Sequence, residues 1–183
     1  MNRLFLFILS GVLAVLCVAC EDKNLSLKIG DLAPDFKLKD ENGTFRSLNE
    51  FQGKKIALYF YPKDDTPGCT KQACSLRDAY DDLQKANIII LGISYDSPES
   101  HRTFKEKYDL PFPLLSDEEK TVAKKYGSSW GILGNLIIKR QTYLLDEEGK
   151  ILEIMKNVDV SKHAQEIIQA FEKVAQNSGS ESP

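Results

Sequence analysis

The alternation of apolar and polar positions divides the chain into short segments of two periods. A continuous apolar run inside KKIALYFYP (54–62) ends at a proline and predicts a buried central strand. NIIILGIS (87–94) predicts a second. Between them Ala73, Leu76, Tyr80 and Leu83 recur at helical spacing, which predicts one helix from Thr70 to Leu83. Upstream, Asp35 to Leu38 and Thr44 to Arg46 read as short strands around the turn Glu41-Asn42-Gly43. Downstream, Ser97-Pro98-Glu99 opens a helix expected to reach about Tyr108 and to stop before Pro111. Phe112 to Leu115 reads as a short strand, and Asp117 as the cap of a helix in EKTVAKKY (119–126). QTYLLDEEGKILEIM (141–155) reads as a hairpin turning at Glu148-Gly149. A last amphipathic helix, Ser161 to Ala175, has Ile167, Ile168, Phe171 and Val174 on its apolar side. This order predicts an α/β fold, a mixed central sheet with helices on both faces.

The two ends follow a different pattern. An apolar run from Leu4 to Ala19, broken by Ser10 and Gly11 and preceded by Arg3, has the outline of a secretory signal. It is short for a membrane span, which needs ~20 apolar residues. Its end, CVAC, resembles a bacterial lipobox, which would make Cys20 the lipidated residue. Ala19 fits that pattern; Cys17 stands where leucine is usual. Lipidation, a retained anchor and simple cleavage stay open, and each puts the domain outside the cytoplasm, on the periplasmic side of a bacterial envelope. The expected organisation is a leader or anchor at 1–20, a polar tether at 21–33, one domain at 34–176 and a frayed tail at 177–183.

Composition narrows the function by exclusion. The 183 residues are 28% charged and 42% hydrophobic, which suits one globular domain with a sizeable core. The net charge of −3, without a basic run or a basic–aromatic stripe, argues against nucleic-acid binding. His101 and His163 lie far apart and make no metal-ligand spacing.

Two of the four cysteines fall in the leader, which leaves Cys69 and Cys74 in YPKDDTPGCTKQACSLRD (61–78). On one helix, side chains five residues apart leave ~140° apart and ~7.5 Å apart along the axis. A disulfide needs Cβ atoms within ~4.5 Å, so an intact helix forbids the bond. A small structural staple remains one reading, although closing so short a loop stabilises little. The other reading is chemical. Cys69 falls at or just before a helix N-terminus, where free amides and the helix dipole favour negative charge and raise the thiolate fraction. The hydroxyl of Thr66 is placed to bond the sulfur or an incoming oxygen, or simply to serve as a loop or cap threonine. Pro62 and Pro67 stiffen the loop. Asp64 and Asp65 would oppose a thiolate unless a cation lies close by, and the candidates are Lys63, Lys71, Arg77 and Arg140. By periodicity alone Arg140 reads as a solvated charge at the start of a strand. Arg77 and Asp78 read as a surface pair. Trp130, in the glycine-rich GSSWGILGN (127–135), reads as a core or loop anchor, with a place beside the active site as the other option.

Pro62-x3-Thr66-x2-Cys69 resembles the active-site signature of peroxiredoxins. The longer FYPKDDTPGCTKQACSLRD (60–78), with APDFKL (33–38) and KRQTYLLDEEGKI (139–151), resembles the Q-type branch, also called bacterioferritin comigratory protein. The resemblance runs from about Leu27 to Ala175. It implies a thioredoxin-like fold and thiol-dependent reduction of hydrogen peroxide and organic hydroperoxides. By the same resemblance Cys69 is the peroxidatic cysteine, Cys74 the resolving cysteine that forms an intramolecular disulfide with it, Thr66 and Arg140 the activating partners, and Pro62 the shield of the pocket. The implied reductant is thioredoxin or a thioredoxin-like dithiol; no haem, flavin or metal cofactor is implied, and a monomer is expected. Two rivals are an exported thiol–disulfide oxidoreductase, whose CxxC spacing is missing here, and a non-enzymatic envelope module with a structural disulfide.

Overall fold

The computed structural model describes residues 27–131 and 137–179. Its strands are β1 (Lys37–Asp40), β2 (Phe45–Ser47), β3 (Lys55–Phe60), β4 (Ile88–Ser94), β5 (Leu114–Ser116), β6 (Ser129–Trp130), β7 (Ile137–Ile138), β8 (Gln141–Leu145) and β9 (Ile151–Met155). The helices are α1 (Pro67–Asp78), α2 (Tyr80–Lys85), α3 (Pro98–Tyr108), α4 (Thr121–Lys125) and α5 (His163–Gly179), with a short 3-10 turn at Leu48–Phe51. Seven strands form one sheet in the order β2-β1-β5-β4-β3-β8-β9. Among the described residues only β3–β4 and β4–β5 pair in parallel.

The strand β3 is apolar almost throughout because both of its faces are covered. Ile56, Leu58 and Phe60 join Phe36, Phe51, Val122 and Tyr126 on the face carrying the 3-10 turn and α4. Ala57 and Tyr59 join Ala73, Leu76, Leu83, Phe104 and Ile167 on the face carrying α1, α2, α3 and α5. Each of the leucine, isoleucine, valine and phenylalanine side chains among them contributes roughly 1.5–3 kcal/mol on burial. At Gly92 of β4 the reason for glycine is contact: a Cβ there would lie 2.7 Å from the Tyr59 ring and 2.8 Å from Leu114.

The expected helix from Thr70 to Leu83 is two helices. The chain breaks at Ala79 (φ −107, ψ 17), yet Ala73, Leu76 and Leu83 still line one core. The N-cap position of α4 is Lys120 and not Asp117, yet the Asp117 carboxylate supplies the expected capping bonds, accepting from Val122 N at 3.2 Å and Ala123 N at 2.8 Å. Three expectations are corrected. Residues 27–33 are no loose tether: Leu27 is buried, Gly30 N donates to Ile151 O, Ile151 N to Asp31 O, and Ala33 N to Gly149 O. Trp130 is no core anchor, because it is 56% exposed on the β6–β7 ribbon, a pair the periodicity does not reveal. The last helix continues past Ala175 to Gly179. Residues 1–26, with Cys20 and the first part of the expected tether, residues 132–136 and residues 180–183 lie outside the described residues.

Candidate active site

The site forms where β3 hands over to α1. Tyr61 N still donates to Ile93 O at 3.0 Å, continuing the parallel ladder, and the next residue, half-buried Pro62, has no N–H to continue it. The loop that follows is held from both sides. Asp65 sits in the left-handed region (φ 53), and its carboxylate accepts from Lys107 Nζ and Tyr108 OH, both at 2.6 Å. Asp64 turns inward, where its carboxylate meets Tyr61 OH at 2.6 Å, Ser100 Oγ at 2.8 Å and His101 Nδ1 at 2.9 Å. Both carboxylates are therefore engaged with α3 and its neighbours.

Thr66, in extended backbone, is the N-cap of α1, and Pro67 takes the first helical position, where its missing N–H costs nothing. The Thr66 carbonyl accepts from Thr70 N at 2.8 Å. Its hydroxyl donates to Lys63 O at 3.1 Å, so the structure places that donor on the loop and leaves the oxygen lone pairs as acceptors. Cys69 follows in the first turn, 3% exposed, in the cluster of Tyr59, Tyr61 and Ala73. The free amides and positive dipole end of α1 lie at its level.

Arg140 overturns the reading of a solvated strand-end charge. Its Nη2 donates to Cys69 Sγ at 3.4 Å, and its Nη1 donates to Gln72 Oε1. Periodicity placed the residue correctly at the start of β8, but that strand lies beside β3 in the sheet, so Arg140 emerges facing the α1 entry. The approach is close enough that a Cβ on Gly68 would stand 3.3 Å from Nη2. The other candidate cations do not bond the sulfur. Lys63 and Lys71 are exposed, and Arg77 pairs with Asp78 at 2.7 Å, as expected, while donating to Tyr108 O at 2.8 Å. Cys74 is half-buried on the same unbroken helix, and both thiols are free.

Two residues of the site escaped sequence reasoning. Gln72 is fully buried one turn beyond Cys69, and its Nε2 lies 3.0 Å from His163 Nδ1. His163 Nε2 in turn lies 3.0 Å from Thr142 Oγ1 on β8. A signal existed in each case. Cys69 and Gln72 stand three apart on one helical face, and His163 opens the apolar stripe that continues through Ile167 and Phe171. Burial, and then the charge of Arg140, push the His163 imidazolium down to about 3, so the ring is neutral at ordinary pH. Burial holds the Tyr59 and Tyr61 phenols well above their usual range, so they too are neutral. The guanidinium is the formal positive charge bonded to the sulfur. Among the described residues no group of three or more His, Cys, Asp or Glu is placed to hold a metal ion.

This is an arrangement of donors around one buried sulfur, suited to stabilising negative charge at and beside it. Residues 29–154 match the AhpC/TSA family. The chain is 44% identical over 146 residues to the chloroplastic peroxiredoxin Q of Populus jackii, covering 79% of this chain and 68% of that one. It is 39% identical over 157 residues to peroxiredoxin Bcp of Bacillus subtilis, covering 83% and 99%. A solved structure of the Xanthomonas campestris bacterioferritin comigratory protein, studied for alkyl peroxide reduction, superposes with a TM-score of 0.71 at 33% identity, covering 76% and 92%.

Proposed function

Because the chain belongs to the AhpC/TSA family, in its peroxiredoxin Q/Bcp branch, and is therefore a thiol peroxidase, we propose that Cys69 is the sulfur that attacks the peroxide. The observation that carries this assignment is the Arg140 Nη2–Cys69 Sγ contact of 3.4 Å at the first turn of α1. The Cys69 thiolate attacks the terminal peroxide oxygen. The S–O bond forms as the O–O bond breaks, and the departing oxide takes a proton to become water or an alcohol. Arg140 and the first amides of α1 stabilise the charge that develops on the leaving oxygen. Thr66 accepts the hydroxyl hydrogen of the bound peroxide, and Pro62 closes the pocket against water.

Cys69 is left as a sulfenic acid. The Cys74 thiol gives up its proton and attacks that sulfur, an S–S bond forms, and the sulfenic hydroxyl takes a proton and leaves as water. Both thiols lie on α1, so the bond requires the first turns of that helix to unwind. A thioredoxin-like dithiol next reduces the disulfide, giving two electrons and two protons. Hydrogen peroxide and organic hydroperoxides are the substrate class, the latter supported by the alkyl peroxide chemistry studied in the Xanthomonas relative. The working protein is a monomer. Its N-terminal leader exports it to the periplasmic side of a bacterial envelope, held there through Cys20 if lipidated; the support is the pattern of Arg3, the apolar run and Ala19-Cys20.

Stopped-flow oxidation by hydrogen peroxide tests the assignment. The parent should react orders of magnitude faster than a free thiol, Cys69→Ser should abolish the reaction, and Cys74→Ser should retain the first step. A properly folded parent that oxidises no faster than free cysteine would refute it.

A further inference from the structure

The atoms around Gln72 permit only one hydrogen-bond assignment. Arginine has donors and no acceptor, so the Gln72 atom facing Arg140 is its carbonyl Oε1. The Gln72 amide nitrogen then faces His163 as a donor, and His163 Nδ1 must accept. A neutral imidazole has one N–H, which is left on Nε2 and donates to Thr142 Oγ1. The chain of bonds runs from β8 through α5 and α1 to the guanidinium, and from there to Cys69.

Resting on the assignment of Cys69 and Arg140 above, we propose that His163 is a positioning residue for peroxide reduction: by accepting the Gln72 amide at Nδ1 it fixes the Gln72 carbonyl on Arg140, and so fixes Arg140 on the Cys69 sulfur. Without that acceptor the Gln72 amide is free to turn over, and its NH2 group would then face the guanidinium, donor against donor. The guanidinium would be released from one of its two anchors. A displacement of ~1 Å of a group that aligns reacting atoms costs on the order of 100-fold in rate.

Several features support this role over a purely packing one. His163 and Gln72 are both fully buried, so no water substitutes for the lost bond from the surface. The titratable and charged groups near the ring are the Arg140 guanidinium and the Tyr59 phenol, whose ring lies 6.1 Å away edge to face. Both the burial and the Arg140 charge favour the neutral ring that the assignment requires. Formation of α1 does not call for Gln72, since the helix begins at the N-cap Thr66 with Pro67 in its first position.

The test uses the full chain and compares His163→Leu with His163→Asn. Leucine fills a similar volume without an acceptor; asparagine places Oδ1 near the former Nδ1 position and keeps one. Measured are the rate constant of Cys69 oxidation by hydrogen peroxide, the rate of Cys69 alkylation by iodoacetamide, and thermal unfolding. Expected is a loss of about 10- to 100-fold in peroxide oxidation for His163→Leu, with His163→Asn recovering to within about threefold of the parent. Alkylation should change far less than peroxide oxidation, because it has no leaving oxygen for Arg140 to stabilise. A folded His163→Leu that oxidises within twofold of the parent overturns the proposal, and so does a His163→Asn as slow as His163→Leu. If His163→Leu fails to fold, 15N NMR of the unsubstituted protein decides: the proton on Nε2 and a hydrogen-bonded, unprotonated Nδ1 support the proposal, and a proton on Nδ1 overturns it. A parent that does not react with peroxide strikes instead at the assignment of Cys69.

Discussion

Arg140→Met removes the guanidinium while keeping most of the apolar stem. At the observed 3.4 Å, a guanidinium and a thiolate attract by roughly 1–5 kcal/mol as the effective dielectric falls from that of water to about 20. Arg140 is half-buried, so the upper end is discounted for solvent screening. Hydrogen bonds to charged groups contribute about 1.5–3 kcal/mol by substitution. Only the part of this interaction that is given to the charge moving onto the leaving oxygen speeds the reaction; taking about 2 kcal/mol for that part, oxidation of Cys69 should slow by about 30-fold. Arg140→Lys should recover part of the loss, because one ammonium cannot hold Gln72 Oε1 and Cys69 Sγ in the two-pronged geometry of the guanidinium. The assay is stopped-flow oxidation in a Cys74→Ser background, where the sulfenic acid cannot proceed to the disulfide. A folded Arg140→Met that reacts within twofold of its parent would refute the electrostatic argument, and with it the role given to the 3.4 Å contact.

Four further outcomes follow from the same geometry. Gly68→Ala puts a Cβ at 3.3 Å from Arg140 Nη2, so peroxide oxidation should fall several-fold with little change in thermal unfolding; an unchanged rate would mean the guanidinium yields freely. Amide exchange across residues 68–80 should be slow in the reduced protein and fast once the Cys69–Cys74 disulfide forms, and equal protection in both forms would count against unwinding of α1. The His163 ring, at about 3 when folded and near 6.5 when unfolded, refuses a proton that the unfolded chain accepts. That contribution to stability is constant above pH 6.5 and falls as the pH drops toward 3, by about 2 kcal/mol at pH 5. Urea unfolding from pH 8 to 5 should show this slope in the parent and lose it in His163→Asn; the same slope in both would contradict it. Asp117→Ala, which strips the bonds to Val122 N and Ala123 N, should cost about 1 kcal/mol in urea unfolding, and a change below the error of that measurement would show the cap to be idle.

The local elements were legible because their causes are local. The apolar runs of β3 and β4, the cap at Ser97 before α3 and the hairpin of β8 and β9 each follow from periodicity and turn residues a few positions apart. The position of Cys69 at the start of α1 was legible for the same reason, and the five-residue interval to Cys74 already ruled out a disulfide on an intact helix. Boundaries were less legible. Ala79 interrupts a stripe that reads as one helix, since Leu83 stays on the core side of both segments.

Arg140 marks the limit of local reasoning. Its own neighbourhood describes a polar residue before a strand; the charge argument named it as one of four candidate cations, and only the resemblance of its surrounding motif singled it out for Cys69. The contact spans 71 positions of the chain, and the Gln72–His163 bond spans 91. Local pattern along the chain was enough to predict most of the strands and helices, though not β6, β7 or the break at Ala79, to place Cys69 where its helix begins, and to show that Cys74 cannot reach it on an intact helix. The tertiary structure decided which cation answers that sulfur and what holds the cation, because only the sheet order, with β8 laid against β3 and α5 packed on α1, brings those side chains within bonding distance.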